Sequence, residues 1–445
     1  AEGNEGGECK RGGNVATVAS LIASLKEESE DDRGAIRLIN GLTMLTVDAE
    51  TQRAFVSEGG VEVLKNVIDL HKHNKPVLQV ACRAISQYAK SDPDGKNDAR
   101  TRLGADGGVE MLLTSLAMMI KTDLVVEMEV VHALSASVNM HEANRMAFVD
   151  SSGVSLIAIL LKNYKDEWEM QRSVIGLIGD LCFESKDSFH KKARKVPPIE
   201  AVVAAQALEL IVDAMKTHAR AIEVQSKSMY AVAAICFERT RLGEYFAEIG
   251  GLDCLLKTLS NGSQNCQVKA DACSCLKSLV HENEPLLRRA IGAQAIRKVI
   301  VAMGSDTRAK GLQLEGARAL LHLTAEPEHA VLMPEDGITV IEEALQVHAA
   351  DQKFCEEVGR YLELLRQGRN LKTAQGERSK RFHEQKRERE AKKAAESEKE
   401  KEPERTWEEA NKAFEELMQM EKEEETSKEG KSKKKKKKKK QDKGK

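Results

Sequence analysis

The feature that most constrains this chain is a block that recurs along it. A polar helix leads into a Gly-Gly or equivalent turn, then an apolar residue with Leu or Ile three positions on. The copies read Gly59-Gly60-Val61 with Leu64, Gly107-Gly108-Val109 with Leu112, Ser152-Gly153-Val154 with Ile157, Gly250-Gly251-Leu252 with Leu255, and Gly337-Ile338. The first steps (61 to 109 to 154) are close to one period each, and the later ones (154 to 252 to 338) each fit two. The concealed copies fall at Ala207-Leu208 and Ala295-Ile296, where the glycines are gone but the apolar spacing persists. Self-similarity at such a period marks a stacked array, in which each unit buries its apolar face only against its neighbours. Glycine suits the turn because a residue just past a helix end often takes positive φ, which costs Gly nothing.

After each turn a further, longer helix carries its own pattern. It runs Val224-Gln225 to Tyr230-Ala231-Val232 and Ile235, Met170-Gln171 to Leu177-Ile178 and Leu181, and Leu312-Gln313 to Ala319-Leu320 and Leu323. Val224, Ala231, Val232 and Ile235 share one helical face. The 445 residues hold only 8 prolines and 4% aromatics, so most segments consist of good helix formers.

Helix, Gly-Gly-apolar turn, second helix, then a third helix of Val-Gln-x-x-Ala type resembles the armadillo repeat. The stretch Gln52-Arg53-Ala54-Phe55-Val56-Ser57-Glu58-Gly59-Gly60-Val61 looks like that repeat's first-to-second-helix junction. The resemblance covers residues 14–367. It implies an all-α, right-handed armadillo-type α-solenoid of about seven repeats, with a HEAT-type solenoid as the nearest alternative. Two segments depart from the pattern. The glycine-rich residues 1–13 are expected to be disordered, and 183–200, charged from Glu184 to Lys195 and closed by Pro197-Pro198, reads as an inserted loop.

A net charge of −2 conceals a split near Gly368, beyond which 27 Lys and Arg face 19 Asp and Glu. Residues 368–430 read as a charged tail, disordered or helical. Within it Thr406-Trp407-Glu408-Glu409 forms a capping box ahead of a short amphipathic helix, 407–425. Its stripe of Trp407, Phe414, Leu417 and Met418 suits a partner's groove or docking back on the solenoid, the alternative being a marginal helix with no partner. The poly-lysine terminus, 431–445, holds Lys431, Lys433, Lys434, Lys435, Lys436, Lys437, Lys438, Lys439 and Lys440. That charge can meet RNA or an acidic surface without specificity, and no aromatic interleaves to stack a base.

No phosphate loop, dinucleotide fingerprint or nucleophile elbow occurs, so no enzyme activity, cofactor, metal or small-molecule substrate is expected. Cys254, Cys266, Cys273 and Cys275 are locally dense, but Cys273 and Cys275 stand two apart on a helix and cannot face one ion. His71 and His73 read as surface-loop histidines. Scattered cysteines and no visible leader point to a cytoplasmic location, with the nucleus as the alternative. Apolar stretches such as Val154 to Leu161 fall short of the roughly 20 residues that a transmembrane helix needs.

The resemblance also implies where a ligand would bind, because armadillo third helices line a groove that takes extended peptides. The importin-α version carries a Trp and, four residues on, an Asn in successive third helices. Here the Trp positions hold Asn40, Arg83, His132, Gly176, Tyr230, Ser274 and Arg318, and the Asn positions Met44, Gln87, Ala136, Asp180, Ala234, Ser278 and His322. No Trp-Asn pair is present, so a nuclear-import adaptor of that kind is not expected. The candidate partner groove is Arg83, Gln87, His132, Tyr230, Arg318 and His322, its arginines facing acidic or polar partner residues. The expected function is a protein–protein interaction scaffold or adaptor binding partner proteins along the solenoid groove. The alternative is an RNA- or ribosome-associated factor using the lysine-rich tail.

Overall fold

The computed structural model describes residues 5–370, apart from 46–48, 91–97, 106, 184–197 and 262–264, together with Lys392. One compact unit spans Ala1–Thr373; a second, Ala374–Lys445, lies outside the described residues but for Lys392. The tail helix around Trp407 and the lysine run therefore lie outside the described residues.

Two helices lead, α1 (Glu5–Glu27) and α2 (Asp32–Met44). Among the described residues seven three-helix repeats follow: α3 (Ala49–Ser57), α4 (Gly60–Leu70) and α5 (Lys75–Lys90); α6 (Asp98–Ala105), α7 (Gly108–Met119) and α8 (Leu124–Val138); α9 (Glu142–Asp150), α10 (Gly153–Asn163) and α11 (Trp168–Cys182). Then come α12 (Pro198–Ala204), α13 (Ala207–Thr217) and α14 (Ile222–Cys236); α15 (Thr240–Glu248), α16 (Gly251–Ser260) and α17 (Cys266–Val280). The last two are α18 (Glu284–Gly292), α19 (Ala295–Gly304) and α20 (Lys310–Leu323), and α21 (Pro327–Ala330), α22 (Glu335–Val347) and α23 (Gln352–Asn370). Third helices pack on third helices from α2 to α23, and second helices on second helices from α7 to α22, within one continuous core. With α2, the row contains eight third helices rather than the seven aligned from sequence, because α23 also belongs to it.

The turn into each second helix shows why glycine recurs and where it can be lost. The residue before the helix is left-handed in every repeat from α4 to α19: Gly59 (φ 77), Gly107 (φ 73), Ser152 (φ 58), Gln206 (φ 58), Gly250 (φ 90) and Gln294 (φ 64). The next residue faces the side chain five positions back. At Gly60 and Gly251 a Cβ would run into the rings of Phe55 and Phe246, and at Gly153 it would stand 2.6 Å from the ring of Phe148. In the two concealed copies, the residue five back shrinks to Val202 and Ala290, and Ala207 and Ala295 fit. Large-with-Gly and small-with-Ala are two solutions to one packing constraint.

Third helices lock onto second helices through buried glutamines. Gln171 Nε2 donates to the carbonyls of Leu161 and Tyr164, Gln225 Nε2 to Met215 and His218, and Gln313 Nε2 to Met303 and Asp306, each ten and seven residues upstream. These bonds satisfy carbonyls that a helix C-terminus leaves open. In α8 the same position carries Glu127, fully buried, accepting from Tyr164 Oη at 2.8 Å.

Several expectations change. α1 begins at Glu5, inside the stretch expected to lack structure: the segment packed through Val18, Ile22 and Leu25 supplies the helical nucleus, and upstream extension adds one bond per residue. The inserted loop, expected over 183–200, gives way to α12 at Pro198, since proline is preorganised for a first helical position. Residues 184–197 lie outside the described residues. Gly337 is not a turn residue but lies inside α22, where a Cβ would stand 2.6 Å from Ile300 Cδ1, so it admits α19 closely. His71 is not a surface-loop histidine: its Nε2 lies 2.6 Å from Ser29 O and its Nδ1 2.6 Å from Asp32 Oδ1, which ties its repeat to the preceding one.

Candidate functional site

Every third helix presents two positions to the row, those aligned with the importin-α Trp and Asn. The sequence of each third helix sets them one turn apart on a face flanked by buried apolar residues, such as Ala231 and Val232 beside Tyr230. Many of these side chains reach across to the next third helix. Arg83 donates through Nε (3.0 Å) and Nη2 (2.7 Å) to Glu129 Oε1, His132 Nε2 lies 2.9 Å from Ser173 Oγ, and Arg318 donates through Nε (2.6 Å) and Nη2 (3.0 Å) to Glu357. Arg318 also meets Glu315 at 2.6 Å, and Glu315 accepts from Lys277 at 2.9 Å. These ion pairs hold Arg318 protonated and lower the Glu315 carboxyl despite its partial burial.

In the middle of the row Asp180 is the hub. It accepts from Ser135 Oγ, from Asn139 Nδ2 at 3.2 Å and from Tyr230 Oη at 3.1 Å, which joins α8, α11 and α14. Burial raises its carboxyl above the usual range, partly offset by the Ser135 and Tyr230 donors. Gln87 donates to Leu45 O at 3.3 Å. His322 stacks edge-on against His281, centroids 5.1 Å apart, and burial, then the neighbouring His281 and Lys277, lower it to about 4. The six candidate groove residues thus all lie on the third-helix row, but they do not converge on one point. Arg83 and Arg318, expected to await acidic groups from a partner, already hold acids of this chain.

Sequence reasoning missed the partners. Glu129, Ser173, Glu315 and Glu357 each stand three residues before the Trp position of their own helix. Aligning that third register, as well as the first two, exposes the ladder. The missed register also contains Lys227, whose ammonium lies 5.7 Å from the Tyr230 ring centroid.

Among the described residues no group of three or more His, Cys, Asp or Glu is placed to hold a metal ion. Cys273 and Cys275 are buried, and desolvation pushes both thiols far above their ordinary range, which disfavours a reactive thiolate. Among the described residues no single helix is long and apolar enough to cross a membrane.

No protein-family model matches the sequence, and no curated protein matches it. Solved structures do match. One, from work on a phosphorylation switch in the interaction between cadherin and β-catenin, superposes with a TM-score of 0.54 at 16% identity over 79% of this chain, which spans 60% of that one. An engineered protein matches with a TM-score of 0.49 at 21% identity, covering 60% of this chain and 97% of that chain. A designed armadillo repeat protein in complex with the peptide (KR)4 matches at 0.48 and 18% identity, over 59% and 99%. The chain has the armadillo-repeat fold: an all-α solenoid of three-helix units with a continuous third-helix row.

Proposed function

We propose that this chain is a non-enzymatic scaffold that binds partner proteins along its third-helix row, with the tail as a second attachment. The observation that carries this reading is the row itself. Among the described residues eight helices in succession offer polar side chains, half-buried or exposed, along one row. Such a surface lends itself to contact with an extended partner, whose residues can meet successive repeats. The structure from the cadherin and β-catenin work has the same fold, which supports the reading by analogy.

Photo-crosslinking tests it. Crosslinker placed at Ser274 and Ser278 on α17 is expected to trap partner proteins that crosslinker at Arg297 on the second-helix surface does not. Partners that follow residues 371–445 alone, with no crosslinks from α17, overturn the reading.

A further inference from the structure

Among the described residues three steps of the ladder are closed by a contact between these two positions, and the step at the centre of the row is among those that are not. From α5 to α8 the Trp-position residue meets Glu129, from α8 to α11 it meets Ser173, and from α20 to α23 it meets Glu357. From α11 to α14 the same two positions hold Gly176 and Lys227. Lys227 lies across the glycine: a Cβ on Gly176 would stand 3.4 Å from its Cδ and 3.7 Å from its Cε. A larger residue would occupy the space through which this lysine reaches the row.

Among the described residues no carboxylate stands within ion-pair distance of Lys227; its ammonium faces the Tyr230 ring and acts on the Asp180 carboxyl only from further off. One turn before Gly176, Arg172 is a second cation that has no ion pair among the described residues. Its Nη2 lies 3.5 Å from Ser173 Oγ, and its Nε is buried with no hydrogen-bond partner. Asp180, one turn after Gly176, has both of its oxygens taken by Ser135, Asn139 and Tyr230, and Glu169, three residues before Arg172, makes no ion pair among the described residues. A guanidinium left short of acceptors gives up little within the protein when it turns to an arriving carboxylate, and charge-assisted bonds are the strong ones.

We propose that the notch of Arg172, Gly176 and Lys227 binds carboxylates of an extended acidic segment of a partner protein, with an apolar residue of that segment on the Phe183–Tyr230 pair. This rests on the scaffold reading and names its ligand chemistry. Phe183 is partly exposed and its ring centroid lies 6.2 Å from that of Tyr230, an apolar patch at the end of the notch. RNA fits less well. The body up to Gly368 holds 42 Lys and Arg against 52 Asp and Glu, which repels a long polyanion but tolerates a few carboxylates in a local cationic notch.

Fluorescence anisotropy on the full chain tests the notch with a fluorescein-labelled (Glu-Asp-Leu)3 peptide, its neutral counterpart (Gln-Asn-Leu)3, and a single-stranded RNA. The acidic peptide is expected to bind at least about tenfold more tightly than the neutral one, and Lys227→Glu with Arg172→Glu to abolish that margin. Arg83→Glu, at a step that already has its acid, is expected to change affinity less than about twofold. If the double reversal lowers the melting temperature, Lys227→Gln with Arg172→Gln replaces it, with an expected loss of about three- to tenfold. An acidic peptide insensitive to these substitutions, or equally sensitive to Arg83→Glu, overturns the notch, as does tighter RNA binding that the same substitutions remove. Partner crosslinks from α17 that survive such a result leave the scaffold reading standing; their absence removes it separately.

Discussion

The turns into the second helices and the row of third helices are both repeated along the solenoid, yet they are governed over different distances. At a turn the residue is decided by its own backbone and by a side chain five positions back, as Gly251 is by its successor role after left-handed Gly250 and by Phe246. On the third-helix row several side chains answer to a residue one repeat away: Arg83 to Glu129, Tyr230 to Asp180, Arg318 to Glu357. Local constraints leave a local mark in sequence. The longer-range ones become visible only when whole repeats are laid over each other.

The sharpest way to break the comparison is to violate a turn's local rule. Gly251→Ala puts a Cβ into the Phe246 ring, and overpacking of this kind is expected to cost about 3 kcal/mol. If the constraint is the pairwise one inferred from Val202 with Ala207, then Phe246→Val with Gly251→Ala recovers at least about 1 kcal/mol relative to additivity. Urea denaturation of the four proteins in the cycle measures it. Strict additivity would show that the aromatic and the glycine are independent, and the turn would lose its local explanation.

That division explains what could be read beforehand. The armadillo fold and the two concealed copies at Ala207 and Ala295 were legible, because apolar spacing outlasts the loss of glycine. The Gln171, Gln225 and Gln313 positions stood out as a motif, though not their role, because the carbonyls they bond belong to the preceding helix. The acids facing Arg83 and Arg318 were not legible, nor was the tie from His71 to the turn at Ser29. Nothing within ten residues of Arg83 marks Glu129 as its partner.

Glu127 tests whether a repeat-wide rule can override a local choice. It occupies the capping-glutamine position, and burial raises its carboxyl above the ordinary value near 4.5, against donors from Tyr164 and the backbone of residues 121–123. An acid whose folded value is raised keeps its proton in the native state where the unfolded chain has released it. Its contribution is therefore complete below about pH 4.5 and is lost as pH rises through the folded value. Glu127→Gln is expected to leave stability unchanged near pH 4 and to raise it by about 1 kcal/mol at pH 8, as the amide takes up the carbonyl bonds made in the other repeats. Greater wild-type stability at pH 8 would mean that the carboxylate is well held as an anion, and that α8 has its own rule.

The smallest expected effect separates the two requirements that glycine meets at a turn. Gln206 and Gln294 show that the left-handed position, unlike the one after it, has room for a side chain and only a conformational cost against it. Relieving that cost predicts that Gln206→Gly stabilises the protein by about 0.5–1 kcal/mol, net of the extra freedom that glycine gains in the unfolded chain. The converse, Gly59→Ala at φ 77, is expected to destabilise by about 1 kcal/mol, well short of Gly251→Ala, because no atom lies within 3.5 Å of the added Cβ. Thermal midpoints of the two variants check both signs. If Gly59→Ala proves as costly as Gly251→Ala, backbone conformation and not the neighbouring ring is the constraint that keeps glycine in these turns.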